Sequence, residues 1–79
     1  MTIVPSQCRA ARALLGWSQP ELERAARVAK KTIVEFERGA RQPHPRTLDA
    51  LREALEAAGV EFIPEDGGGP GVRLRAGSD

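Results

Sequence analysis

One cysteine and one histidine in 79 residues leave little room for several kinds of chemistry. Cys8 alone cannot form an internal disulfide, which removes the stapled scaffolds of small secreted proteins. With His44 as the single imidazole, no His and Cys cluster of metal-ligand spacing can be assembled, so neither a metal nor a cofactor is expected. No nucleophile stands in a recognisable catalytic context, and an enzyme is not expected. No apolar run approaches the roughly 20 residues of a membrane span, so the chain is read as cytoplasmic, with no membrane partner.

An overall excess of charge is also lacking. The formal net charge is +1, which by itself argues little for a nucleic-acid partner. Its distribution says more. Between Arg27 and Arg46 lie six basic residues against two acidic ones, Glu35 and Glu37. After Gly59 the balance reverses, with Arg73 and Arg75 against Glu61, Glu65, Asp66 and Asp79. The positive charge is therefore local.

What is present is a set of helix punctuation marks. A chain this short supports one modest core of three to five short helices. Pro5 suits the first turn of a helix, where its missing amide has no partner to lose, and Cys8, Ala11, Leu14 and Leu15 follow at helical spacing until Gly16. Ser18 and Glu21 form a capping box that starts a second helix, expected to bury Leu22, Ala25 and Ala26. A tight turn at Arg27 and Val28 leads to a third helix carrying Ile33 and Phe36, closed by Gly39 as a left-handed cap. His44 can cap a fourth helix beginning at Pro45, with Leu48, Leu51, Ala54, Leu55 and Ala58 as its apolar stripe and Gly59 as its stop.

Beyond Gly59, Val60 to Pro64 and Val72 to Arg75 flank the glycine-rich stretch 67–71, which reads as a β-hairpin. That stretch lacks the lysine and following helix of a phosphate loop and is read as a flexible connection. The expected fold is mainly α: a compact four-helix domain over residues 1–59, with a C-terminal hairpin or tail over 60–79.

On a helical wheel begun at Lys30, Ile33 and Phe36 fall near about 300° and 240°, while Lys30, Lys31, Val34, Glu35 and Arg38 span about 0° to 140°. One face is core and the other is exposed. The exposed face holds what a major groove requires: lysine for guanine O6 or N7, a methyl-bearing side chain for thymine, a carboxylate for the cytosine amino group. The same spacing also describes an ordinary solvated helix face. Glu37 and Arg12 both sit at the edges of their apolar stripes, where a half-buried pair would fix how the first helix meets the third.

Arg12, the Leu15-Gly16-Trp17-Ser18-Gln19 junction, Leu22, Ala26, Val28, Lys30-Lys31-Thr32-Ile33, and Phe36-Glu37-Arg38-Gly39 followed by Arg41, Pro43, Leu48 and Leu51 carry a further signal in their order and spacing. Together they resemble the Cro and phage-repressor helix-turn-helix family, also called XRE-like, over residues 8 to 59. The resemblance implies a lambda-repressor-like fold that binds double-stranded DNA. By position it implies base reading by Lys30, Lys31, Thr32, Val34 and Glu35. Gln19 would hold a phosphate or brace the reading helix, and Arg38, Arg41, Gln42 and Arg46 would meet the sugar-phosphate backbone. Arg12 and Glu37 match the family's structural ion pair. Two positions depart from the pattern: Arg27 stands where the turn usually has glycine, and Ala29 where the reading helix usually begins with serine or threonine. Each departure is expected to cost about 1 kcal/mol.

The reading that follows is a homodimeric repressor occluding a partly palindromic operator. Its dimer contact is expected from Val60, Phe62, Val72 and Leu74, which have too little core of their own. The alternative is a module of the same fold that binds a partner protein, as an antiactivator or antitoxin; Glu35, Val34 and the low net charge fit it. Trp17 between Gly16 and a helix cap is read as a half-buried hinge residue rather than a stacking platform for a base. Cys8 is read as a small core residue.

Overall fold

Local signals set most of the helix limits. In the computed structural model, which describes residues 2–76, α1 spans Pro5–Leu15 and stops at Gly16, whose φ of 69° is open to glycine at little cost. α2 (Gln19–Ala26) opens with a reciprocal capping box: Ser18 Oγ accepts from the Glu21 amide at 3.2 Å, and Glu21 Oε1 from the Ser18 amide at 2.8 Å. α3 (Lys30–Glu37) closes in a Schellman turn, with the Gly39 amide on the Phe36 carbonyl and the Ala40 amide on the Glu35 carbonyl, both at 2.9 Å. α4 (Pro45–Ala57) is capped by His44, whose Nδ1 accepts from the Arg46 amide at 3.1 Å.

These four helices enclose one core. Ile3, Cys8 and Ala11 meet Leu22 and Val28 from α2 and its turn, Ile33 and Phe36 from α3, and Leu48, Leu51 and Leu55 from α4. Phe36 is the largest fully buried side chain and anchors α3 from beneath. Truncating a buried phenylalanine to alanine costs about 3–5 kcal/mol, so Phe36→Ala is the single change most able to free that helix. Trp17 is half-buried against the core edge.

Two expected core positions lie outside. Leu14 is 42% exposed, and Ala25 is exposed as well. α1 presents Cys8, Ala11 and Leu15 inward, and Leu14 sits one residue, or about 100°, around the helix from Leu15. In α2, Leu22 and Ala26 share the inward stripe, and Ala25 is displaced from Ala26 by the same angle. A helix covered on one side buries only one stripe.

The hairpin forms as β1 (Val60–Ile63) and β2 (Gly71–Leu74), antiparallel, with Val60 opposite Leu74 and Phe62 opposite Val72. It corrects the expectation that its apolar residues lack cover. Val60 and Phe62 are buried in the main core, Val72 is half-buried against it, and only Leu74, at 40%, is substantially exposed. A two-stranded hairpin is marginal alone, so its apolar face lies on α1 and α4. Gln7, itself buried, clasps it there: its Nε2 donates to the carbonyls of Ile63 at 3.2 Å and Gly71 at 3.0 Å, while its Oε1 accepts from the Val4 amide at 3.0 Å. The glycine-rich loop read as a flexible connection is tied to Glu65, whose Oε2 accepts from the amides of Gly67 and Gly69. The last three residues of the expected 60–79 tail lie outside the described residues. Among the described residues, no helix is long and apolar enough to cross a membrane.

Candidate nucleic-acid interface

α3 has eight residues and packs against α1 and α2. Ile33, Phe36 and Glu37 point inward and are buried. Lys30 and Lys31 are exposed on the far side, and Thr32, Val34 and Glu35 are half-buried along the flank. Arg38, Arg41, Gln42 and Arg46 are exposed on the segment that follows. Arg41 Nη1 lies 3.6 Å from Glu35 Oε1, so the one acid of the outer face is partly neutralised by the loop beyond it. Lys30, Lys31, Arg38 and Arg46 make no ion pair among the described residues. The surface thus carries unpaired cations, a methyl-bearing side chain and a carboxylate, a set able to meet phosphates and base edges.

Beneath this surface, Glu37 gathers the other helices. Arg12 approaches it with two nitrogens, Nε to Oε2 and Nη2 to Oε1, both at 2.7 Å. Gln19 Nε2 donates to Oε1 at 3.0 Å, and the Cys8 thiol donates to Oε2 at 3.2 Å. Burial pushes the Glu37 carboxyl up, but the hydrogen bonds from Arg12, Gln19 and Cys8 outweigh it and hold it below the ordinary glutamate value. Burial, followed by the neighbouring Glu37 carboxylate, drives the Cys8 thiol well above the usual cysteine range. It is a protonated donor, with no thiolate to react. Gln19, at the start of α2, therefore spends its amide on bracing α3.

Both ends of α3 are also capped from outside. The Arg9 guanidinium of α1 donates to the Glu37 carbonyl at the C-terminal end. Glu23 Oε2 of α2 accepts from the Lys30 amide at 3.1 Å at the N-terminal end, where Ala29 offers no cap. Each charge has the sign that the helix dipole favours at its end. The turn before α3 holds Arg27 at φ 58°, the one non-glycine residue in the left-handed region among the described residues. Sequence reading missed Arg9 and Glu23. Arg9 stands three residues before Arg12 on the same helix face, a spacing that could have flagged it. The uncapped Ala29 could have prompted a search for an acid on the preceding helix, but no local rule points to Glu23.

Residues 9–62 match the family described as Helix-turn-helix, a stretch that runs from within α1 through α4 and into β1. No curated protein matches the chain.

Proposed function

Because the chain belongs to the Cro and phage-repressor (XRE-like) helix-turn-helix family of DNA-binding regulators, we propose that it is a dimeric repressor that reads an operator with α3 and acts by occluding it. The observation that carries this reading is the split of α3 into a buried, four-point anchor at Glu37 and an outer face whose lysines are exposed and unpaired. A helix fixed from behind and cationic in front suits a major groove. In this reading Lys30, Lys31, Thr32, Val34 and Glu35 face base edges. Arg38, Arg41, Gln42 and Arg46 track phosphates, and Gln19 acts through Glu37.

A two-fold dimer would set two copies of α3 about one helical turn, roughly 34 Å, apart along one side of the duplex. Residues 1–59 would carry the DNA-binding function and 60–79 the dimer contact. Of the apolar side chains on the hairpin, Leu74 and the edges of Ile63 and Val72 have surface left to offer a second copy. The testing experiment enriches duplexes from a random library with the full chain, then titrates the enriched duplex and a random one at several salt concentrations. Affinity should fall steeply with salt for both. Lys30→Ala with Lys31→Ala should erase discrimination between them, whereas Arg46→Ala should weaken both alike and reduce the salt slope by about one. A chain that never prefers any duplex over random DNA would point to a protein partner.

A further inference from the structure

Glu23 stands outside the contact set proposed above, yet it holds both ends of the turn that leads into α3. Its carbonyl accepts from the Arg27 amide at 2.8 Å, closing α2 where the chain turns left-handed. Its carboxylate reaches seven residues on, to the Lys30 amide at 3.1 Å. These are the two places where local chemistry is unfavourable: Arg27 adopts φ 58° without being glycine, and Ala29 caps α3 without a side-chain acceptor. The carboxylate satisfies one of the orphan amides and faces the positive end of the helix dipole, as a serine or threonine cap does, but it takes the first amide of α3, where a cap hydroxyl reaches the second or third.

The consequence concerns direction more than stability. Lys30 is exposed, so water could satisfy its amide if Glu23 withdrew. What water cannot do is tie that amide to α2. The inward anchors of α3, Ile33, Phe36 and Glu37, all lie at or beyond its fourth residue. Its first turn, with Lys30 and Lys31, depends on the turn and on Glu23 for its aim. We infer that Glu23 is a positioning residue that sets the approach of Lys30 and Lys31 to DNA, by tying the first amide of the reading helix to α2 where Ala29 supplies no cap. The inference rests on the DNA-reading proposal above.

The test compares wild type, Glu23→Ala, Glu23→Gln and the double variant Glu23→Ala/Ala29→Ser at a temperature where circular dichroism shows each folded. Two quantities are read: exchange protection of the Lys30 amide by NMR, and the affinity ratio between the duplex enriched by the wild-type chain and a random duplex. Glu23→Ala should lower both by about fivefold, the equivalent of an N-cap worth about 1 kcal/mol. Glu23→Gln keeps an acceptor oxygen and should stay within about twofold of wild type, whereas Ala29→Ser, whose hydroxyl reaches the second or third amide of α3 and makes no tie to α2, should leave both lowered in the Glu23→Ala background. An unchanged Lys30 amide in Glu23→Ala overturns the inference, as does lost protection with an unchanged ratio. If the wild-type chain enriches no duplex, the DNA reading falls and the positioning role falls with it, an outcome visible without any variant.

Discussion

Arg12 of α1 grips Glu37 of α3 through two parallel hydrogen bonds of 2.7 Å, across 25 residues of chain and with only 3% of the Glu37 side chain exposed. Such a pair adds little net stability, because desolvation offsets its attraction, but breaking it leaves a carboxylate buried without its countercharge. Arg12→Ala should therefore destabilise the fold by about 3 kcal/mol in urea denaturation. Replacing both partners with apolar residues should recover most of that loss, while weakening DNA discrimination because α3 loses its brace. Equal loss in the single and double variants would contradict this account.

The same carboxylate makes stability depend on pH. Burial raises the Glu37 value, but the bonds from Arg12, Gln19 and Cys8 leave it lower in the folded chain than in the unfolded one. A carboxylate depressed in the folded state contributes stability above its unfolded value, and that contribution is lost as pH falls through the folded value. The urea midpoint should thus hold near neutrality and decline below about pH 4. Glu21 is lowered too, by its bonds with Ser18, and shares in the decline. Glu37→Gln should flatten the acid limb, which a denaturation series from pH 7 to pH 3 would reveal.

Cys8 is fully buried, and its thiol donates to Glu37. Native protein should resist iodoacetamide at neutral pH and become labelled only in denaturant, as intact mass would register. Rapid labelling of the folded chain would mean that α1 opens locally, exposing the Glu37 cluster to water.

Gln7 joins the N-terminal helix to the strand pair at the carbonyls of Ile63 and Gly71. Gln7→Leu would leave those carbonyls and the Val4 amide without their partner, at a cost of about 1–3 kcal/mol. Hydrogen exchange should show the loss concentrated in β1 and β2. If protection there is unaffected, the hairpin is held by Val60 and Phe62 alone.

Deleting the hairpin is a poor test of the proposed dimer contact, because Val60 and Phe62 belong to the main core. Leu74→Glu places a charge on the exposed end of β2 while leaving both in position. If the proposed dimer uses this edge, sedimentation should show the variant dissociating at about tenfold higher concentration than wild type, equivalent to roughly 1.4 kcal/mol. An unchanged assembly would move the contact elsewhere.

Helix limits were legible in the sequence because their causes are local. Pro5, Gly16, the Ser18 and Glu21 box, Gly39, and His44 with Pro45 each act on backbone groups within a few residues. The inward stripe of α3 was legible for the same reason, since 3.6 residues per turn places Ile33 and Phe36 on one side. The placements of Leu14, Ala25, Val60 and Phe62 were not, because exposure depends on which neighbour covers a face. Only the folded chain could bring Cys8 and Arg9 to Glu37, or Gln7 to the strands 56 and 64 residues away. The sequence by itself determined the helices and the local excess of positive charge. Tertiary packing decided how the third helix is held, because its caps at both ends and its buried carboxylate are satisfied by groups from other helices.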